Sequence, residues 1–364
     1  MNSILKKTKL TLRLLIKHKS YLNKESYYPD EPHKSKWRVF QDQLFFIWKY
    51  GGLEKYYFAY GFDRKSMDLK KICDEYIVNE PAFWKKIMLR NDHPNGLLHG
   101  RCIVYDKFYF YVFLNGLNIP TPKILYYTRK GKLLYSSFEG DNLDEGIGAI
   151  LKKNIDAFAK PLGGQMGDGA FALRVNAPSV YVNGQLQSQT DNLIQTFTKT
   201  DYIIQERIVQ HPQMNRLCST AVNTIRLLTL LTAKEDVVAF RAGLRIGREG
   251  SNVDNCAKGG IFVGIDMNTG KLLKKGIIKP PYGNTVFQHP DNGIVFEGFE
   301  IPYFKEAVEI AKKLHSKLYR IHSIGWDIAI TKDGPIFIEG NSKWEISGTQ
   351  AAVGGVKFIE KYFN

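Results

Sequence analysis

Near the end of the chain two carboxylates and one amide lie within apolar strand patterns: Asp327, Glu339 and Asn341. In 325–331, Trp326, Ile328 and Ile330 point one way, while Asp327 and Ala329 point the other. In 335–341, Ile336 and Ile338 share a face, and Glu339 and Asn341 share the opposite one. A three-residue loop over 332–334, with Gly334 left-handed, would set Thr331 opposite Pro335 and Asp327 opposite Glu339. Carboxylates directly across a ladder repel each other. An all-oxygen set of Asp327, Glu339 and Asn341 suits Mg²⁺, completed by water and phosphate oxygens. The alternative is a wet sheet face that tolerates acids, against which the apolar flanks argue.

A second candidate follows Lys160, where 163–169 reads Gly-Gly-Gln-Met-Gly-Asp-Gly. Gly163, Gly164, Gly167 and Gly169 would let backbone N–H groups approach a polyphosphate closely. No Gly-Lys-Ser/Thr follows, which excludes a Walker A loop, and no HRD or DFG triplet accompanies it as a kinase requires. Between two strands it reads as a flap over a nucleotide, or as an ordinary glycine hairpin.

Several cations sit where they need partners. Lys160 ends an apolar strand and suits a phosphate. Arg226 lies inside the apolar run 225–231, where an unpaired guanidinium is costly, so phosphate or a structural ion pair must satisfy it. Arg241 and Arg245, four apart on a strand, share a face that suits carboxylate or phosphate recognition or simply meets solvent. The polar loop 252–260 carries Asn252, Asp254, Asn255 and Lys258 before Gly259 and Gly260, and could cradle a substrate.

The elements that must position these groups change character along the chain. Before about residue 91 the pattern is helical, at 41–50 and 69–77, with an aromatic cluster at 56–62 suited to packing. Beyond residue 100 strands and helices alternate, as in an α+β architecture. A helix at 106–114 precedes strands at 124–127, 157–160 and 171–175. A helix at 192–197 leads to a strand at 202–208, then strands at 224–232 and 237–246 and the final hairpin. The stretch 303–320 places Ala307, Ile310, Ala311, Leu314 and Leu318 on one helical face.

Bulk properties exclude several classes. The chain has 364 residues and a net charge of +15, with no apolar run long enough to span a membrane. The four cysteines carry no CxxC spacing, so neither a zinc site nor a disulfide framework is expected, and a reducing, cytoplasmic compartment fits. No nucleic-acid reader motif accompanies the basic balance. Residues 1–100 carry 19 Lys/Arg against 11 Asp/Glu. Lys6, Lys7, Lys9, Arg13, Lys17 and Lys19 precede any acid, interleaved with Ile4, Leu5, Leu12, Leu15 and Ile16. That is either a basic amphipathic helix for an anionic membrane face or a solvated tail. Arg13 interrupts the stretch and no small-residue cleavage site follows, so a signal peptide is rejected.

In order and spacing, from about Tyr105 to the end, the chain resembles the ATP-grasp superfamily, in particular the sugar-transfer associated ATP-grasp proteins. The resemblance rests on Asp106-Lys107, the run 116–122, Lys160-Pro161 with the glycine loop, and Gln205-Glu206-Arg207-Ile208. It continues through Gln210-His211-Pro212, Asn223-Thr224-Ile225-Arg226, Gly259-Gly260, Gly325-Trp326-Asp327 and Glu339-Gly340-Asn341. It implies two α+β subdomains gripping ATP, divided here as a helical region 1–100, a lid region 101–206 and a core 207–364. Lys107 and Lys160 would hold phosphates under the glycine loop. Gln205, Glu206, Arg207 and Ile208 would surround adenine, with His211 toward the ribose. Asp327, Glu339 and Asn341 would coordinate Mg²⁺. Arg226, Lys160 and Lys258 are the implied catalytic residues; Asn223, Arg241, Arg245, Asn252, Gly259 and Gly260 are the implied substrate contacts.

The chemistry implied is attack of a carboxylate on the γ-phosphorus, then capture of the acyl phosphate by an amine. A sugar uronate and an amino acid, joined during surface or capsular polysaccharide synthesis, are the implied substrates. A phosphotransferase, or a non-catalytic nucleotide- or glycan-binding accessory of a glycosyltransferase, is the alternative. The front of the chain departs from the usual nucleotide-fold domain of such enzymes.

Overall fold

Strand 154–161 alternates buried and open positions, and such a strand must join a sheet with one covered face. In the computed structural model, which describes residues 2–16, 24–91, 100–163, 168–251, 254, 259–279, 283–318 and 321–363, two antiparallel sheets form. The first contains β1 (Ile124–Arg129), β2 (Lys132–Ser136), β3 (Asn154–Pro161), β4 (Phe171–Asn176), β5 (Ser179–Val182), β6 (Gln185–Leu186) and β7 (Tyr202–Glu206). Their order is β2-β1-β7-β3-β4-β5-β6. Asn183 and Gly184, both at positive φ, make the tight turn between β5 and β6 that the Asn-Gly pair favours. Helix Asp191–Lys199 closes the back of the sheet with Leu193 and Phe197, four apart on one face. In β3, Ala157 and Ala159 enter that core, which turns Asp156, Phe158 and Lys160 to the opposite face.

The second sheet contains β8 (Thr224–Leu231), β9 (Val237–Ile246), β10 (Ile261–Ile265), β11 (Leu272–Ile278), β12 (Thr285–Val286), β13 (Ser323–Thr331) and β14 (Gly334–Asn341). Its order is β12-β11-β10-β9-β8-β13-β14. Helix Phe304–His315 covers one face with Ala307, Ala311 and Leu314, packed over Trp326, Ile328 and Ile330 of β13. The short helices Arg101–Tyr105 and Lys107–Gly116 add Val104, Phe110 and Leu114 to the same core. Residues 101–116, grouped by sequence with the first sheet, are thus packed on the second.

The front of the chain is helical, with helices Asn2–Ile16, Lys36–Tyr50, Leu69–Glu75 and Glu80–Asn91. Its aromatic cluster of Phe46, Tyr57, Tyr60, Phe62 and Tyr76 packs against Ile277 of β11 and Ala351 of the C-terminal helix Ile346–Val353. The second sheet therefore carries a helical layer at each side, and the first sheet stands across a cleft from it. Among the described residues, no helix is long and apolar enough to cross a membrane.

Candidate active site

Between the sheets lies one cavity of about 1550 Å³, walled by β3 and β7 on one side and by β8, β9, β13 and β14 on the other. The β13–β14 hairpin reaches it by a route that differs from the sequence expectation. The loop has two residues, Lys332 and Asp333, so Thr331 pairs with Gly334 and Ile330 with Pro335. A two-residue loop alone would put Ile338 opposite Asp327. A β-bulge between the Asp327 and Ile328 pairs absorbs one residue and restores Asp327 opposite Glu339. The bulge also turns Ile338 to the cavity, while Phe337 remains in the core against Trp326. Asn341 lines the same wall and donates its Nδ2 to Glu339 Oε1 at 3.3 Å.

Cations surround this pair. Arg226 on β8 stands directly across from Asp327 and binds it with both ends, Nε to Oδ1 at 2.6 Å and Nη2 to Oδ2 at 3.0 Å. Arg245 on β9 reaches Asp327 Oδ2 at 3.2 Å and Asp254 Oδ1 at 2.9 Å. Asp254 in turn accepts from the Thr224 backbone N–H at 3.0 Å and from its hydroxyl. Arg226 thus has the structural partner that its apolar strand required, inside the cavity. Gly243, opposite Arg226 on β9, leaves room for the Phe262 ring; a methyl group there would collide with Phe262 Cζ.

The charges set one another. Burial alone would raise the Asp327 carboxyl, but Arg226 and Arg245 outweigh it and hold the group far below the usual carboxylate range. Burial, then the Asp327 charge and a hydrogen bond between the two carboxyls, push Glu339 upward, against the pull of Lys160 and Arg245. Lys160 is lowered by burial and by nearby Lys107, with Glu339 and Asp327 opposing. Lys107 lines the cavity and donates to the Leu162 carbonyl at 3.2 Å. Such perturbed, mutually coupled groups in one cleft are typical of working sites.

Gln205, Glu206, Arg207 and Ile208 line the cavity where β7 ends. Gln205 is buried and donates to the Pro122 carbonyl, Glu206 accepts from the Lys123 N–H, and Arg207 lies 3.5 Å from Asp156. Gly163 lines the cavity beside Asp168, while Gly169, at φ +72°, gives its carbonyl to the Tyr202 hydroxyl. Gly164, Gly167, Asn252 and Lys258 lie outside the described residues.

Other sequence candidates are placed elsewhere. Asn223 is fully buried and does not line the cavity. Its amide donates to Gln210 Oε1 and to the carbonyls of Met214 and Cys218, and accepts from the Gly247 N–H. Those four bonds commit it to holding the segment before β8. Arg241 shares a strand face with Arg245 but lies over the Phe358 ring, its Nη1 on the Phe240 carbonyl. His211 caps a short helix through Nδ1 and faces Tyr303. Gly259 and Gly260 are buried before β10, outside the lining.

Sequence reasoning missed the part of the lining contributed by Tyr56, Glu80, Lys279, Lys343 and Glu345. Lys279 pairs with Glu345, which also accepts from Ser347. Lys343 and Glu345 follow Asn341 by two and four residues, so proximity to the hairpin end was the one available signal.

The model of the sugar-transfer associated ATP-grasp family matches residues 100–360. No curated protein matches the chain. Among solved structures, an ADP complex of N5-carboxyaminoimidazole ribonucleotide synthetase shares 14% identity at a TM-score of 0.39, over 68% of this chain and 47% of that one. An L-amino acid ligase from Bacillus licheniformis shares 10% at 0.36, over 69% and 43%. The ATP-grasp ligase PsnB with a minimal precursor shares 12% at 0.38, over 73% and 60%. The chain thus spans about half the length of the first two. The family match takes in both sheets and every described residue of the cluster around Asp327 and Glu339, and on that ground the chain belongs to the sugar-transfer associated ATP-grasp family.

Proposed function

We propose that the protein is an ADP-forming ligase that joins a carboxylate to an amine through an acyl phosphate, with ATP and Mg²⁺. The observation that carries this reading is the paired Asp327 and Glu339, clamped by Arg226 and Arg245 and faced by Lys160 in one cavity. Among the described residues no three His, Cys, Asp or Glu side chains form a metal cluster. Two facing carboxylates with an amide beside them fit Mg²⁺ nonetheless, since that ion takes one or two protein carboxylates and fills its shell with water and phosphate. When bound, Mg²⁺ supplies charge neutralisation at the phosphates.

The chain's own groups do the rest. Arg226 gives Nε and Nη2 to Asp327, and Arg245 divides its donors between Asp327 and Asp254, so both guanidinium charges stand at the cavity wall for phosphate oxygens entering it. Lys160 and Lys107 bring two further positive charges to one end of the anion. A carboxylate oxygen bonds the γ-phosphorus while the bond to the β-phosphate oxygen breaks, its electron pair leaving with ADP. The amine nitrogen then bonds the acyl carbon, expelling phosphate and losing a proton. Lys279 and Lys343 offer positive charge to an anionic substrate group, and Glu80 and Glu345 negative charge to an amine.

The finer reading is a sugar uronate and an amino acid in surface polysaccharide synthesis, which the family's sugar-transfer association supports. Cytoplasmic action with peripheral contact to an anionic membrane belongs to the same reading. A screen of uronic acids against amino acids, reading ADP release, tests it. ADP accumulation that requires both substrates is the expected result. Release with one acceptor alone and a stable phosphorylated product would indicate a phosphotransferase, and no turnover with any pair would indicate an accessory role.

A further inference from the structure

The first helix, Asn2–Ile16, divides into sectors. Leu10 and Leu14 pack against Phe40, Leu44 and Ile47 of helix Lys36–Tyr50. Lys7 Nζ donates to the Trp48 carbonyl at 2.7 Å and fixes how the two helices lie. At about 100° per residue, Ile4, Leu5, Leu12 and Ile16 fall in a separate arc about 120° wide, turned away from that seam. All four are exposed, Ile16 at 72%. Lys6, Lys9 and Arg13, also exposed, border the arc. An amphipathic helix held only by the protein would bury its widest apolar arc; this one presents it.

The second helix continues the pattern. Trp37 and Trp48, eleven residues apart, fall within about 20° of each other on the helix, beside the stripe that holds the first helix. They are 65% and 50% exposed. The one acid in these two helices, Asp42, is fully buried on Lys34 and the Tyr57 hydroxyl. Every exposed charge on the pair is therefore positive, including Lys36, Arg38 and Lys49.

Exposed leucine, isoleucine and tryptophan flanked by uniform positive charge match the boundary of an anionic bilayer, where apolar side chains enter the acyl edge and cations meet lipid phosphates. A second copy of the same face would set like charges together, and a nucleic acid backbone would leave the apolar arc in water. We infer that this helix pair is a docking face for an anionic lipid bilayer, with Ile4, Leu5, Leu12, Ile16, Trp37 and Trp48 entering the headgroup region. The inference rests on the peripheral-membrane part of the proposed function and is independent of the ligase chemistry.

The test is co-sedimentation of the full chain with phosphatidylglycerol–phosphatidylcholine vesicles and with phosphatidylcholine alone. The protein should bind the anionic vesicles, and less so as added salt shortens the Debye length below about 8–10 Å. The double variants L12D/I16D and W37S/W48S, changed only at exposed positions, should each lower the partition coefficient by about tenfold or more. Their melting temperature and their ATP turnover without vesicles should match the parent. Anionic binding that both variants retain in full would overturn this face while leaving membrane contact intact. No binding by the parent would overturn both, and a salt-insensitive dimer dispersed by the variants without vesicle binding would also reject the lipid assignment.

Discussion

Glu339→Gln should lower ATP turnover by about a thousandfold or more while leaving the fold as stable as before. The loss corresponds to about 4 kcal/mol of transition-state free energy. The separation follows from the charge state of the pair. Burial and the neighbouring Asp327 charge raise the Glu339 carboxyl. A glutamine amide has nearly the shape of the carboxyl and can donate to Asp327. It cannot supply the second carboxylate of the proposed Mg²⁺ site. Mg–ATP should therefore raise the melting temperature of the parent but not of the variant, since only a ligand that binds the folded state stabilises it. Full turnover in the variant would remove Glu339 from the site.

Lys160→Ala is expected to cost roughly 2–4 kcal/mol of transition-state stabilisation, about 30- to 1000-fold in kcat/KM. Lys160 leaves an apolar strand whose neighbours Ala157 and Ala159 fill the core, so its ammonium is carried into the cavity by β3 itself. Burial lowers it, and the acids across the cavity oppose that. Its removal takes a point charge from the cavity wall, and weaker ATP binding should accompany the slower rate. Lys160→Arg keeps the charge but replaces a compact ammonium with a planar fork, and should restore only part of the rate. Unchanged kinetics in Lys160→Ala would leave the lysine a structural role.

The parts of the fold most legible in sequence were those with period and punctuation. The strand expected at 157–160, the helical stripe of 303–320 and the strands expected at 224–232 and 237–246 correspond to the formed elements 154–161, 304–315, 224–231 and 237–246. The hairpin was legible in outcome but not in mechanism. Opposition of Asp327 and Glu339 was expected from a three-residue loop, whereas a two-residue loop and a compensating bulge produce it. Loop length and bulge each shift register by one residue and cancel, and a residue pattern cannot distinguish that from no shift at all.

The site was less legible where contacts come from distant segments. Asp254 stands in a polar loop with nothing local to separate it from its neighbours; it joins the cluster because β9 and β8 bring Arg245 and Thr224 to it. The family resemblance implied Asn223 as a substrate contact, but a fully buried amide must satisfy its polar atoms, and here Gln210, the carbonyls of Met214 and Cys218, and the Gly247 N–H do so. The contributions of Tyr56 and Glu80 depend on how the helical front packs against β11 and the C-terminal helix, a long-range docking that composition does not encode.

In the proposed reaction a cation and a nucleotide meet at the β13–β14 hairpin. Diffraction at the manganese edge from crystals grown with Mn²⁺ and a non-hydrolysable ATP analogue measures this directly. The expected result is an anomalous peak beside Asp327 and Glu339 and the analogue's phosphates, with Lys160 on those phosphates and the base beside 205–208. A peak held by other residues, or an analogue bound outside the cavity between the two sheets, would contradict it.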